Sequence, residues 1–347
     1  MSSHMHQEAL SVPDLVAQQL SANYAVLTEL AMRVHAQKPL FAMTIARGSS
    51  DHAATFAKYL LETQMGMITA SAAPSVVTIY KTKLFLKNCL VIAISQSGES
   101  PDLTEMLSAA KEAGAITVAF VNQQDSPLAE IAEFVVPLGA GKEISVAATK
   151  SYLLTLSALV QFVALLKQDP LMLQVLTQLP AALAEAASMD WTKAIDIYRE
   201  KTSTFVVARG YGFPIAQEAA LKFKETARIH AEAFSGAELL HGPFALIEKD
   251  FPLMMFIQHD ASLEGMMTLA KRMHDLGACV LLAAPKNEEK KLHEYASVIL
   301  PMPSALHPVC DPLLVIQAFY LMMSELAVAR GLNPDVPTNL SKVTKTW

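Results

Sequence analysis

The sequence predicts an α/β protein built from two tandem doubly wound domains, each a mostly parallel sheet flanked by helices. Three observations carry this. Apolar runs of strand length, such as "CLVIAIS" and "ITVAFV", contain almost no polar residues, which suits strands buried on both faces. Amphipathic stretches lie between the runs, the alternation of a βαβ fold. The pattern also occurs twice. "FVVARGYGFPIAQEAALKFKE" echoes "MTIARGSSDHAATFAKYLLE", and "PLMMFIQHDASLEGMMTLAKRMHDLGACVLLAAP" echoes "CLVIAISQSGESPDLTEMLSAAKEAGAITVAFVN". Arg47 pairs with Arg209 and Ile94 with Ile257 at nearly the same offset. Matching offsets of this kind mark a duplication.

Taken in order, residues 8–38 have apolar positions at three- and four-residue spacing and read as helical. "LFAMTIARGSS" reads as strand to loop and "DHAATFAKYLLETQ" as helix. "CLVIAISQSGES" is strand to loop again, and "PDLTEMLSAAKEAG" is a helix with Pro101 in its first turn. "AITVAFVN" and "EFVVPLG" give two more strands. "LLTLSALVQFVALL" falls short of the roughly 20 apolar residues a membrane span needs and carries Ser, Thr and Gln, so it reads as a buried helix. The expected division is an N-terminal helical segment 1–38, a first domain 39–165, a helical connector 166–197, a second domain 198–332, and a tail 333–347. The tail has two prolines and no amphipathic period, and is expected to be extended or a loop.

Composition narrows the function classes. Hydrophobic residues make up 52% of the 347, enough for a large core. A net charge of −6 argues against nucleic-acid binding. The N-terminus shows no apolar stretch of the signal-peptide kind, and Cys89, Cys279 and Cys310 form no CxxC pair. No disulfide, metal or cofactor is expected, nor a membrane partner, and a reducing cytoplasm fits.

In doubly wound sheets ligands bind beyond the carboxyl ends of the strands. Two hydroxyl-rich loops fall there: Gly48-Ser49-Ser50, and Ser95-Gln96-Ser97 with Ser100 before Pro101. They could cap helices and turns, or they could hold a phosphate with help from a helix N-terminus. Neither GxxxxGK[ST] nor GxGxxG is present, so a nucleotide is not implied. The second copy reads "QHDASLE" where the first reads "SQSGES". The fold therefore does not require the hydroxyls, which favours a ligand role. In the second copy, Glu218, Lys222 and Glu225 share one helix face at i, i+4 and i+7, with Lys224 off it. That face is either an exposed salt-bridged surface or a proton-moving pair, with burial raising the Glu pKa and lowering the Lys pKa. His241, beside Gly242-Pro243, is either structural or an acid–base group.

As a set, "SQSGES", "GKEISVAATKSY", "QEAALKFKE", "AELLHGP" and "NLSK" resemble the sugar isomerase (SIS) family over about residues 20–347, and within it the isomerase half of the glucosamine-6-phosphate synthases. The resemblance implies two flavodoxin-like SIS domains and a sugar-phosphate substrate. It implies phosphate binding by Ser49, Ser50, Ser95, Gln96, Ser97 and Ser100 around Gly48. Glu225 would be the base that shifts a proton between C1 and C2, with Glu218 and Lys222 beside it. His241 would assist ring opening from a partner subunit, hence a homodimer. Lys342 would attack the open-chain sugar as a Schiff-base nucleophile, and Val146 and Ala147 would line the sugar site. There are departures: Ala148 stands where the family has Ser, and Arg47-Gly48 stands where the synthases have Cys-Gly.

The isomerase-like part begins near residue 20, without the synthases' N-terminal glutamine-hydrolysing domain. The expected activity is therefore that of an SIS-type glucosamine-6-phosphate deaminase. It would convert glucosamine 6-phosphate to fructose 6-phosphate and ammonia, with water hydrolysing the last imine. A fructosamine-6-phosphate deglycase, a phosphosugar aldose–ketose isomerase and a non-catalytic sugar-phosphate sensor stay open as alternatives.

Overall fold

The computed structural model describes residues 2–342. The chain forms two compact units that cut across the sequential division expected above. One holds residues 14–143 and 150–177 with the tail from Ser341. The other holds the chain up to Pro13, the segment Ile144–Thr149, and Gln178–Leu340. Hydrogen bonds explain part of this regrouping. The Glu8 carboxylate accepts from the Ile144 and Ser145 N–H groups at 2.5 and 3.3 Å, and Asp335 accepts from the His4 and Met5 N–H groups at 2.9 and 2.7 Å. The N-terminal helical stretch is three helices, α1 (His4–Leu10), α2 (Val12–Ala22) and α3 (Tyr24–Gln37).

The first unit carries strands β1 (Phe41–Ile45), β2 (Thr69–Ser71), β3 (Cys89–Ser95), β4 (Ile116–Val121) and β5 (Phe134–Pro137). They form a parallel sheet in the order β2-β1-β3-β4-β5. Its helices include α4 (Ser49–Met65), α5 (Ser75–Thr78), α6 (Pro101–Glu112), α7 (Pro127–Ile131) and α8 (Lys150–Lys167), and α9 (Pro170–Ala187) follows. Every residue of β3 and β4 is buried, as continuous apolar strands covered on both faces should be. All of α8 except Leu165 and Lys167 is buried, which fits the buried-helix reading of its apolar run.

The second unit repeats the plan after α10 (Thr192–Tyr198). Its elements are β6 (Ser203–Ala208), α11 (Phe213–Ala227), β7 (His230–Ser235), β8 (Pro252–Phe256), α12 (Leu263–Asp275), β9 (Cys279–Ala283), α13 (Glu289–Leu292), β10 (Val298–Leu300) and α14 (Asp311–Ala329). Its parallel sheet runs β10-β9-β8-β6-β7, the topology of the first sheet written from the other edge. In each sheet the chain reverses its direction of travel between the first and third strands, β1/β3 and β6/β8, and this is where doubly wound folds open a ligand crevice. The edge strands β2, β7 and β10 were not expected. They are short or half exposed, so they lack the apolar run that betrays a central strand.

Candidate active site

In the first unit, both hydroxyl loops follow strands at the β1/β3 switch. Gly48 caps α4 with φ 56°, and Ser49 and Ser50 begin the helix. Ser95 is the last residue of β3 and is buried. Its Oγ accepts from the Gly98 N–H at 3.0 Å, and Ser97 Oγ accepts from the Glu99 N–H at 3.3 Å. These two serines thus shape the loop. Ser100 is different: it sits at the N-cap of α6 yet makes no capping bond through its side chain. Pro101 has no N–H and the Leu103 N–H donates to the Ser100 carbonyl and to Asp102 Oδ1, at 3.1 and 3.0 Å, so it is the Ser100 hydroxyl and the Asp102 N–H that remain for another acceptor. Gly98 is obligatory, because its φ is +67° and a Cβ there would stand 2.1 Å from Ser126 Oγ.

Two contacts that sequence reasoning did not anticipate hold this half together. The Arg47 guanidinium donates through Nε and Nη2 to Asp102 Oδ2 at 2.9 and 2.7 Å, tying the loop after β1 to the start of α6. Glu143, whose side chain is buried, accepts from Lys342 Nζ at 2.8 Å, from Ser151 Oγ at 2.8 Å and from the Ser151 N–H at 3.1 Å. Lys342 was expected to be a nucleophile. Here its nitrogen is a hydrogen-bond donor in an ion pair, so attack on a carbonyl requires it to leave Glu143 and lose a proton. Tail residues beyond Lys342 lie outside the described residues.

In the second unit, α11 carries the charged triad. The exposed-helix reading fails: Glu218 and Lys222 are fully buried, and only Glu225, with 21% of its side chain exposed, reaches the surface. Lys222 Nζ lies 3.1 Å from Glu218 Oε1 and 2.7 Å from Glu225 Oε2. Tyr320 Oη, on α14, donates to Glu218 Oε1 at 2.9 Å. Tyr320 had no sequence signal, being the second of two adjacent aromatics in a mostly apolar helix. The expected depression of the Lys222 pKa is also corrected. Burial pulls it down, but Glu218 and Glu225 on either side outweigh burial and raise it above the ordinary lysine value. Lys222 is therefore a fixed cation, and Glu225 is the exposed end of a buried charge chain.

His241 follows the 3₁₀ turn Glu238–Leu240 and is exposed. Its N–H donates to the Glu238 carbonyl at 3.0 Å, and its ring touches no partner among the described residues. Gly242 after it has φ 135°, so the loop needs glycine there. Val146 and Ala147 lie in Ile144–Thr149 and so join the unit that holds Glu218, Lys222, Glu225 and His241. Ala147 is buried, and the Val146 N–H donates to the Asp335 carbonyl at 3.0 Å. Each unit thus gathers its own set: hydroxyl loops and Lys342 in one, the carboxylate–lysine chain, His241 and Val146-Ala147 in the other.

The family model described as SIS domain matches residues 41–165 and 196–329. The isomerizing glutamine–fructose-6-phosphate aminotransferase of Pseudomonas syringae pv. tomato is 33% identical over 310 residues, covering 86% of this chain and 50% of its own length. The chain thus spans about half the length of such relatives. A crystal structure of a candidate phosphosugar isomerase from Silicibacter pomeroyi DSS-3 superimposes with a TM-score of 0.90 at 35% identity, covering 96% of this chain and 100% of that one. The C-terminal domain of the Francisella tularensis glucosamine-fructose-6-phosphate aminotransferase gives a TM-score of 0.87 at 25% identity, covering 97% and 99%.

Proposed function

The chain belongs to the SIS domain family, and from that premise we propose that it moves a proton between C1 and C2 of an amino-sugar 6-phosphate and so deaminates it. The carrying observation is Glu225, a partly exposed carboxylate with one oxygen held 2.7 Å from a buried lysine. A carboxylate fixed in this way has one oxygen engaged and the other available to a carbon acid. The names of the relatives suggest the substrate class, since they are aminotransferases named for fructose 6-phosphate and, in one case, glucosamine.

The proposed sequence is as follows. The β1 and β3 loops take the phosphate through Ser49, Ser50, Gln96, Ser97 and Ser100, with Gly48 and Ser95 shaping the cradle. His241 of the partner subunit assists ring opening, giving the C1 aldehyde of glucosamine 6-phosphate. Glu225 removes the C2 proton, the electron pair moves onto the C1 oxygen, and that oxygen takes a proton from water to give the enolamine. Glu225 then returns the proton to C1, leaving an iminium at C2. Water adds to C2 and ammonia departs, giving fructose 6-phosphate. Lys222 holds its charge throughout and orients Glu225, while Val146 and Ala147 line the sugar. Lys342, paired with Glu143, serves this reading better as a tail clasp than as a nucleophile.

The test is ammonia release from glucosamine 6-phosphate. Removing a general base costs about 10²–10⁴-fold, so Glu225→Gln should lose at least a hundredfold in turnover while binding the sugar phosphate unchanged. Undiminished turnover in that variant would sink the reading. Aldose–ketose isomerisation without loss of nitrogen is the second reading, favoured by the full-length match to a candidate phosphosugar isomerase. Turnover of glucose 6-phosphate without any ammonia from glucosamine 6-phosphate would select it.

A further inference from the structure

The duplication invites a comparison of the two switch points, residue against residue. Aligning Ile94 with Ile257 without gaps sets Asp102 against Gly265, Glu105 against Thr268 and Ala109 against Arg272. In the first copy, Asp102 neutralises Arg47 and Glu105 pairs with Lys81 at 2.8 Å. In the second copy the arginine is kept as Arg209, but both carboxylates are gone and a second guanidinium has been added. The space that the Asp102 side chain fills in the first copy is open in the second, where nothing lies within 4 Å of a Cβ built on Gly265.

That space is part of a cavity of about 420 Å³, lined by Arg209 after β6, by Ser262, Gly265 and Arg272 of the α12 region, and by Leu240 and Met266. The volume is that of a small-ligand site. Neither guanidinium has an acidic partner among the described residues. Arg272 is instead held over the Phe244 ring, its Cζ 4.4 Å from the centroid, which fixes the fork without neutralising it. The nearby Asp260 is occupied, accepting from the Ser262 N–H at 2.7 Å and Ser262 Oγ at 2.6 Å. Both bonds hold Ser262, the N-cap residue of α12, whose own side chain makes no capping bond. At the same strand end Gln258 is 2% exposed, and neither atom of its amide has a partner among the described residues. An unsatisfied buried amide at a switch point is costly unless something there completes it.

We propose that this cavity is a second ligand site, which takes a small organic phosphate with the phosphate between Arg209 and Arg272 and its carbon skeleton against Leu240 and Met266. Two unneutralised guanidiniums over an apolar floor match that chemistry, since arginine forks pair with phosphate oxygens in charge-assisted bonds. The site uses none of the residues assigned above to the reaction. It therefore suits an effector or a stored product rather than the reacting sugar.

Calorimetric titration of the full chain with fructose 6-phosphate tests this, using Gly265→Asp and Arg272→Ala. Gly265→Asp restores the carboxylate that the first copy sets against its arginine, at a first-turn helix position where aspartate is well tolerated. It should remove one binding event and leave the melting temperature and ammonia release unchanged. Arg272→Ala, an exposed change, should weaken the same event about tenfold or more. Inorganic phosphate should compete for that event. Any event that Gly265→Asp removes belongs to this cavity, whether or not a separate event at the first unit's loops survives, so the outcome does not depend on the proposed reaction. A Gly265→Asp isotherm that superimposes on that of the unaltered chain overturns the proposal, as does a removed event that phosphate fails to compete for.

Discussion

At the scale of single residues, the buried charges of α11 set the strongest expectations. Lys222 neutralises Glu218, which is fully buried and reached otherwise by Tyr320. Breaking a buried pair from one side leaves an uncompensated charge and costs about 3–5 kcal/mol. Lys222→Met should therefore lower the unfolding free energy read from urea denaturation by that order, whereas Tyr320→Phe, which removes a single hydrogen bond, should cost about 1 kcal/mol. Equal losses in the two variants would mean that Lys222 contributes packing rather than charge. Asp311 gives a second test. Burial raises its carboxyl from 3.8 to about 6, despite the Leu306 and His307 N–H groups donating to Oδ1, and Oδ2 has no partner among the described residues. The folded state holds this proton more tightly than the unfolded chain does. Its contribution to stability is thus complete below pH 3.8 and is lost as pH rises through about 6. Asp311→Asn lacks that titration, so its melting temperature relative to the unaltered chain should improve between pH 4 and 7. A gap independent of pH would contradict the shift.

At the scale of elements, the loop after β3 joins strand, turn and helix through one glycine. Gly98 combines a left-handed φ with contact against Ser126, next to the start of α7. An alanine there meets both a steric clash and roughly 1–2 kcal/mol of left-handed backbone strain. Gly98→Ala should displace Ser97 and Ser100 and weaken sugar-phosphate binding by an order of magnitude or more, with a smaller loss of stability. Calorimetry on the variant would show it, and unaltered affinity would argue that this loop does not hold the phosphate. The Arg47–Asp102 bridge is a parallel case. It is an ion pair between the β1 loop and α6, and its acidic member is 2% exposed.

At the scale of the whole molecule, the proposed homodimer makes a prediction of its own. If His241 serves the partner subunit's site, His241→Ala and Glu225→Gln chains are each inactive alone. Mixed after co-expression, they should recover about a quarter of the unaltered activity, because one site in each mixed dimer is intact and half of the dimers are mixed. No recovery would mean that each chain is self-contained. The exposed Leu246 beyond the His241 turn, at 61%, is apolar surface that such a contact would cover.

The sequence by itself determined the fold class, the duplication, the central strands, both hydroxyl loops and the charged helix face. These are written in local periodicity and in residues set a fixed distance apart, which strand and helix geometry convert directly into shared faces. Tertiary structure alone decided the rest. Whether the α11 face was buried depended on α14, a hundred residues downstream, and burial between two carboxylates is what kept Lys222 charged where burial alone would have discharged it. Edge strands β2, β7 and β10 depended on a neighbour for their hydrogen bonds. Tyr320 on Glu218, Glu143 on Lys342 and Asp102 on Arg47 are pairings between distant segments that no local pattern encodes. The opened space at Gly265 is legible in the sequence only as one missing carboxylate, and the surrounding elements are what made it a cavity.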